Sequence, residues 1–262
     1  MANKDSYEKS RKQKKRRSPT SKAVFSLIFT LLIGVFLISG LKLLSIRMNY
    51  KKAEDSYEEV VQEIAPTSSD EDYPKVDFAK MKKINPEAVG FIYCKDLLRY
   101  PIVQGEDNDK YLHTMFNGEY HNAGTLFVDA RIPEALEARH CIVYGHNMQD
   151  GSMFGKLYKY SDKDFYEAHR EFHVYTEDHH YRYKAFAAYS TTVHDFTYTF
   201  SFRDDEDFMD FLDKTKRASW FADDTELTKD SKILTLSTCV STTSEDIYRN
   251  VLILVREEEI KD

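Results

Sequence analysis

Hydrophobic positions along the chain form one long run near the start and a series of short runs after residue 75. The long run covers residues 23–41, nineteen positions without a charged side chain, bounded by Lys22 and Lys42. At a rise of 1.5 Å per residue, a helix of this length covers about 28 Å, close to the hydrocarbon thickness of a bilayer. The pattern therefore predicts a transmembrane helix over residues 23–41.

Charge is distributed unevenly on the two sides of this apolar run. Residues 1–42 contain ten basic and two acidic side chains, whereas the rest of the chain contains 27 basic and 42 acidic ones. The positive-inside rule then predicts a cytoplasmic N-terminus and an extracellular location for residues 43–262. The acidic body argues against nucleic acid as a partner, and the basic tail fits contact with an anionic membrane surface.

Two other interpretations of the apolar run fit the pattern less well. A cleaved signal peptide has a shorter apolar core, and no small-x-small cleavage site is clear here. A core helix of a soluble protein is rarely apolar on every face over this length. We therefore favour an uncleaved signal anchor that ties the protein to the membrane.

The sequence divides into four predicted parts. A basic cytoplasmic tail at residues 1–22 precedes the anchor at 23–41. Residues 42–74 are predicted to form an extracellular helical stalk, helical over 43–65, followed by a polar linker. The globular domain is predicted to cover residues 75–262.

Short runs of alternating or β-branched residues predict a mainly β domain with helices, an α+β protein. A helix with an apolar face is predicted just before the seventh strand, and two helical patches are predicted earlier in the domain. Eight short strands in a domain of this length suggest a closed barrel or a sandwich. The predicted strands cover residues 90–94, 100–103, 124–128, 140–145, 171–176, 181–192, 232–238 and 250–256, and the helices cover 107–116, 153–169 and 205–218.

Three residues with catalytic potential lie at predicted strand ends. Cys239 ends an apolar strand, and Arg249 begins the next one about ten residues later, so the two strands can be sheet neighbours. His146 follows the apolar strand 140–145. A cysteine nucleophile needs a base or a charged partner, and the rim of a barrel brings residues from separate strands together. On the residues alone, a structural hydrogen-bonding histidine is the safer interpretation of His146, and the alternative for Arg249 is a surface ion pair with Glu245 or Asp246.

The other cysteines and histidines do not indicate a second reactive site. Cys94 and Cys141 lie in apolar runs and are predicted to be buried, inert thiols. Three cysteines cannot all pair, and no Cys-x-x-Cys motif is present. His179 and His180 are predicted to lie in a solvated turn. No cluster has metal-ligand spacing, so neither a metal nor another cofactor is predicted.

The run Thr-Leu-Ser-Thr-Cys ending at Cys239 resembles the Thr-Leu-x-Thr-Cys signature of sortases. The spacing from Cys239 to Arg249 and the order histidine, cysteine, arginine match that family as well. The resemblance spans about residues 84–256. It implies a closed eight-stranded β-barrel with N-terminal helices and one long helix before the catalytic strand. It also implies a cysteine transpeptidase with Cys239 as nucleophile, His146 as acid/base partner and Arg249 as cationic stabiliser.

Several features resemble class B sortases in particular. They are the serine of the signature, the long predicted helix before the catalytic strand and the N-terminal anchor. In class B enzymes four further positions help to hold the sorting-signal peptide, and the resemblance implies Asn108, Leu112, Tyr144 and Ser237 for that role. Two stretches depart from the class B pattern: Val240 stands where some members have an acidic residue, and the segment 191–202 matches poorly.

The resemblance implies cleavage of a sorting signal after a threonine through a thioester acyl-enzyme. An amine of the cell-wall precursor, or a pilin lysine, then resolves the thioester. Two alternative classes remain at this point. One is another cysteine acyl-transfer enzyme, although the motifs of L,D-transpeptidases and papain-like hydrolases are absent. The other is a non-catalytic surface-anchored binding domain on the same barrel.

Overall fold

The fold is taken from a computed structural model, which describes residues 19–66, 72–239 and 247–261. By its internal contacts the chain divides into two compact units, residues 1–51 and 52–262. The helices are α1 (Pro19–Ile64), α2 (Phe78–Ile84), α3 (Lys163–Ala168) and α4 (Asp205–Ala218). The strands are β1 (Ala88–Cys94), β2 (Leu98–Val103), β3 (Leu126–Val128), β4 (His140–Tyr144), β5 (Glu171–Tyr175), β6 (His180–Thr192), β7 (Ile233–Cys239) and β8 (Tyr248–Glu259).

Helix α1 is one continuous helix of 46 residues, where the sequence pattern suggested an anchor helix followed by a stalk helix. No proline lies near the boundary between the two predicted parts, and Leu41, Lys42 and Leu43 are good helix formers, so the helix continues through the boundary. Within the described chain, this is the one helix long and apolar enough to cross a membrane. Its apolar side chains between Val24 and Leu44 are exposed, as a lipid-facing helix requires.

In the second unit, the last turns of α1 belong to the hydrophobic core. Five side chains on one face of the helix are buried, each three or four residues from another of the set. The hydroxyl of Tyr57 also donates a hydrogen bond to the carbonyl of Gly124, which fixes this end of the helix to the loop before β3. Of the predicted linker after the helix, residues 67–71 lie outside the described residues. The five buried side chains are Ala53, Tyr57, Val60, Val61 and Ile64.

The eight strands form a closed barrel in the order β1-β2-β3-β4-β7-β8-β6-β5, with β5 pairing back to β1. The pairs β2–β3 and β4–β7 are parallel, and the other pairs are antiparallel. A closed sheet leaves no unpaired edge, which accounts for a stable domain built from short strands. The predicted eight-stranded barrel is confirmed, and the eight predicted strands match the observed ones within a few residues.

The helix predicted at 205–218 is confirmed as α4, and its apolar face packs in one buried cluster with residues of β6, β7 and β8. Asp204 caps its N-terminus by accepting a hydrogen bond from the backbone of Asp207, while Lys216 and Arg217 lie in its last turn. Both features favour a helix at this place. The other two helical predictions were too long. Residues 110–112 form a single 3-10 turn, and residues 157–168 form a 3-10 turn followed by the short α3.

Candidate active site

Strands β4, β7 and β8 are neighbours in the barrel, and their ends bring three sequence positions together. Cys239 ends β7 and is paired in register with Arg249 of β8, which places their Cα atoms about 4.5–5.5 Å apart. On the other side of β7, Tyr144 of the parallel strand β4 is paired with Ser237. His146 follows Tyr144 by two residues, as Cys239 follows Ser237. The predicted catalytic positions therefore lie at the same end of three adjacent strands.

Positions 233, 235, 237 and 239 belong to one face of β7, because successive positions of a strand alternate between its two faces. Ile233 is packed in the cluster beneath α4, and Thr235, Ser237 and Cys239 follow it at steps of two. On β8, Val251 and Ile253 belong to the same cluster, and Arg249 precedes Val251 by two. The alternation thus assigns positions 239 and 249 to one side of the sheet.

His146 is half-buried, and its ring is held by the backbone of a neighbouring loop. Its Nε2 atom lies 2.8 Å from the carbonyl oxygen of Leu112, which can only accept, so Nε2 carries the proton of this hydrogen bond. Burial lowers the pKa of His146, and the nearby His113 lowers it further, whereas the Leu112 carbonyl opposes both. The rings of His113 and His146 are stacked 5.9 Å apart. Leu112, predicted as a peptide-binding residue, therefore also orients the predicted acid/base histidine.

Tyr144 and Asn108, predicted from the sequence as peptide-binding residues, meet at a buried carboxylate that the sequence analysis did not single out. Asp129 is fully buried and accepts a hydrogen bond of 3.0 Å from the Tyr144 hydroxyl. Arg131 binds it with two parallel hydrogen bonds, 2.9 Å from Nε and 2.7 Å from Nη2. Burial raises the pKa of Asp129, but hydrogen bonds from Arg131, Asn108 and Tyr144 outweigh it and hold the pKa at about 2. The carboxylate is therefore charged and fixes both residues.

Replacing Asp129 by asparagine is expected to lower the free energy of unfolding by about 2 kcal/mol, because hydrogen bonds to a charged acceptor are lost. The folded pKa lies below the unfolded value of about 3.9, so this stabilisation is complete above pH 4 and is lost as pH falls toward 2. Urea unfolding at pH 7, 4 and 3 measures the difference between wild type and variant. Asp178→Asn, an exposed change, is the control. A difference that stays constant over this pH range contradicts the assignment.

Ser237, the last of the predicted peptide-binding residues, is fully buried and contacts a tyrosine from a distant loop. Its hydroxyl lies 2.9 Å from the hydroxyl of Tyr198, which belongs to a 3-10 turn at Phe196–Tyr198. The ring of Tyr198 is also stacked 6.4 Å from that of Tyr144. The structure thus adds Tyr198 to the site. No motif marked it in the sequence, because it lies in the 191–202 segment that departs from the class B pattern.

Arg249 is half-buried, and its Nη1 atom donates a hydrogen bond of 2.8 Å to the carbonyl of Tyr248. Its alternative ion-pair partners, Glu245 and Asp246, lie outside the described residues, as does Val240. Across β8 from Cys239, Arg249 is also paired in register with Thr191 of β6. Arg249 therefore lies between Cys239 and Thr191 in a row of paired residues on β7, β8 and β6.

The other two cysteines lie away from this row and are buried, as predicted. Burial raises the pKa of Cys94 to about 12 and raises the pKa of Cys141 well above its usual range. Both thiols are therefore protonated and unreactive near neutral pH. Among residues 19–66, 72–239 and 247–261, no group of three or more potential ligands is arranged to hold a metal ion.

The prediction of a solvated turn at residues 179 and 180 was wrong for His180. His179 is exposed, but His180 is buried, and its Nε2 atom lies 2.9 Å from Nδ1 of His173. The rings of Tyr175 and Tyr73 pack against His180. Strand β6 begins at His180 rather than at 181, so the side chain belongs to the sheet and not to the turn.

The chain is similar to known proteins over most of its length. Residues 96–258 match the pattern of the sortase domain. Sortase B of Staphylococcus aureus is 32% identical over 234 residues, covering 88% of this chain and 96% of that protein. Sortase B of Listeria monocytogenes is 35% identical over 211 residues, covering 79% and 86%. A solved S. aureus sortase B–substrate complex superposes with a TM-score of 0.70 at 32% identity, covering 80% of this chain and 99% of that one.

The chain therefore belongs to the sortase family. Within that family it is a cysteine transpeptidase of the sortase B kind, since both relatives are sortase B and the matches cover most of the chain. This result sets aside the L,D-transpeptidase, the papain-like hydrolase and the non-catalytic binding domain as alternatives. The closed barrel with one long apolar N-terminal helix agrees with this assignment.

Proposed function

We propose that Cys239 is the nucleophile, His146 the acid/base partner and Arg249 the cationic stabiliser of a transpeptidase that acts on sorting signals. The observation that carries the proposal is the register of β4, β7 and β8. Cys239 of β7 is paired with Arg249 of β8, and the neighbouring strand β4 ends two residues before His146. A nucleophile, a base and a cation from three strands are the groups that acyl transfer by a cysteine requires.

In the proposed reaction, the Cys239 thiolate attacks the backbone carbonyl carbon of a threonine in the sorting signal. A carbon–sulfur bond forms, and Arg249 stabilises the negative charge that develops on the carbonyl oxygen. His146, as imidazolium, gives a proton to the leaving nitrogen as the carbon–nitrogen bond breaks. Because the Leu112 carbonyl holds Nε2–H, the other ring nitrogen, Nδ1, releases that proton. The product is a thioester between the peptide and Cys239.

An amine then replaces the sulfur and forms a new amide. His146 takes the proton from the attacking amine, and the thiolate of Cys239 leaves. For the amine we propose a group of the cell-wall precursor, with a pilin lysine as the second candidate. Burial lowers the pKa of His146, which disfavours the imidazolium form that the first step requires.

We propose that the sorting-signal peptide lies along Asn108, Leu112, Tyr144 and Ser237. The structure of an S. aureus sortase B–substrate complex supports a peptide site in this fold. Tyr144 and Asn108 are fixed by the Asp129 carboxylate, and Ser237 is fixed by Tyr198. A side chain that is already fixed in one rotamer loses less conformational entropy on binding a peptide than a mobile side chain does.

The substrate and the acceptor are tested together by product analysis. The protein is incubated with a library of threonine-containing pentapeptides and candidate amines, and the products are identified by mass spectrometry. We expect cleavage after threonine and a new amide to one amine class. Cleavage at other residues overturns the proposed sorting signal, and release of free acid with every amine overturns the proposed acceptors.

We propose that residues 23–41 cross the cell membrane, with the tail at 1–22 in the cytoplasm and the catalytic domain, residues 75–262, outside on a stalk and linker at 42–74. The basic tail and the apolar helix support this topology. Anchoring keeps the enzyme near substrates that emerge at the outer leaflet and raises their effective concentration.

Protease added to intact protoplasts is expected to digest the part of the chain after the anchor and to spare the basic tail. An antibody to the C-terminus and an N-terminal tag follow the two ends on a gel. Lysed protoplasts are the control, since both ends are then accessible. Protection of the catalytic domain in intact protoplasts contradicts the topology.

A further inference from the structure

His140 is a buried histidine with two hydrogen-bond partners on different elements, and the proposed reaction does not use it. It begins β4 and is completely buried. Its Nδ1 atom lies 2.7 Å from the carbonyl oxygen of Thr199, and its Nε2 atom lies 2.7 Å from the hydroxyl of Thr235. A buried polar side chain with both nitrogens satisfied is costly to replace and geometrically specific.

The chemistry of these partners fixes the tautomer of the ring. Burial lowers the pKa of His140 to about 4, so the ring is neutral near pH 7. The Thr199 carbonyl can only accept, so Nδ1 carries the single ring proton. Nε2 is then an acceptor and receives a hydrogen bond from the Thr235 hydroxyl. The ring thus links β7 to the backbone of the loop between β6 and α4.

That loop also carries the tyrosine that contacts the proposed peptide site. Tyr198, the residue before Thr199, lies with its hydroxyl 2.9 Å from that of Ser237. Thr235 and Ser237 are two residues apart on the same face of β7, and Cys239 occupies the next position on that face. The loop is therefore attached to the catalytic strand at two adjacent points, one through His140 and one through Tyr198.

We propose that His140 is a positioning residue for substrate binding: its bond to the Thr199 carbonyl holds the loop so that Tyr198 stays against Ser237. The inference rests on the proposed peptide site, but the anchoring of the loop can be measured independently. His140 touches no reacting atom, so its replacement affects peptide binding and leaves the acyl-transfer step nearly unchanged. The rings of Phe211 and Phe202, 4.8 and 6.4 Å away, pack against it and give it a structural role as well.

Two conservative variants separate the two hydrogen bonds of the ring. In His140→Asn the side-chain amide can replace Nδ1 and still donate to Thr199, whereas in His140→Gln the longer amide replaces Nε2 and reaches only Thr235. His140→Phe keeps the ring packing and loses both bonds. We expect the Gln and Phe variants to raise the KM for the peptide about tenfold, the effect of one buried hydrogen bond, with kcat nearly unchanged. The Asn variant should bind peptide as the wild type does.

Hydrogen–deuterium exchange provides the measurement that does not depend on activity. The amides of residues 193–204 should exchange faster in the Gln and Phe variants and at the wild-type rate in the Asn variant. Equal exchange in all three overturns the inference. If the wild type neither binds nor cleaves any sorting peptide, the proposed function fails, while the exchange pattern still decides the role of His140.

If the variants do not fold, the tautomer of His140 in the wild-type protein still tests the inference. A long-range ¹H–¹⁵N NMR spectrum of the wild-type protein, with the His140 resonance assigned, distinguishes the protonated ring nitrogen from the bare one. We expect the proton on Nδ1. A proton on Nε2 overturns the inference, because the Thr199 carbonyl would then have no donor in the ring.

Discussion

Replacing Cys239 by alanine is expected to abolish both peptide cleavage and amine transfer while the barrel stays folded. The thioester cannot form without the sulfur, and loss of the nucleophile in a covalent mechanism typically costs at least about 10⁴-fold in kcat. Cys239 ends β7, where the pairing with β8 depends on the backbone and not on the side chain. The melting temperature should therefore change little. Steady-state assays with a cleavable sorting peptide measure the first effect, and thermal unfolding measures the second.

The two other cysteines provide matched controls for this experiment. Cys94 and Cys141 are buried, and burial raises the pKa of both thiols, so neither is a thiolate near neutral pH. Cys94→Ala and Cys141→Ala should keep most of the turnover and lose about 1 kcal/mol of stability each, a common cost of a core substitution. A charged methanethiosulfonate reagent should label the wild type at Cys239 alone. Near-full activity of Cys239→Ala, or labelling at another cysteine, contradicts the proposed mechanism.

The barrel could be predicted from the sequence because its strands are short apolar runs separated by turn residues. The pairing of β7 with β8 could also be predicted, since a loop of about ten residues between Cys239 and Arg249 allows their strands to be neighbours. The continuity of α1 across Lys42 could not be predicted from composition. Composition changes at Lys42, but helix propensity does not, and so a single helix passes through the change.

The polar contacts around the site could not be predicted, because each joins residues far apart in the chain. Asp129 is a single acidic residue after a three-residue strand, and nothing nearby in the sequence shows that it receives Tyr144, Asn108 and Arg131. Tyr198 and His140 likewise depend on the path of the loop between β6 and α4. His180 was assigned to a turn because His-His beside Asp178 is polar locally, whereas its burial depends on Tyr73 and His173.

Arg249→Ala is expected to reduce kcat by about 10²–10³-fold, the usual effect of removing one group that stabilises an oxyanion. Arg249→Lys should recover only part of this loss, because an ammonium group cannot reproduce the planar fork of donors of a guanidinium. Stability should change by about 0–1 kcal/mol in both variants, since the side chain is half-buried at the end of a strand. The register supports the prediction by placing position 249 directly opposite Cys239.

The competing interpretation, a surface ion pair, makes the opposite prediction for catalysis. If Arg249 only neutralises a nearby acid, both variants should turn over normally and differ slightly in melting temperature. Arg203 offers a matched control, because it is exposed and pairs with Asp207 at 3.2 Å. Arg203→Ala should leave kcat unchanged. We therefore expect Arg249→Ala to melt like Arg203→Ala and to turn over far more slowly, and equal turnover of these two variants would remove Arg249 from the reaction.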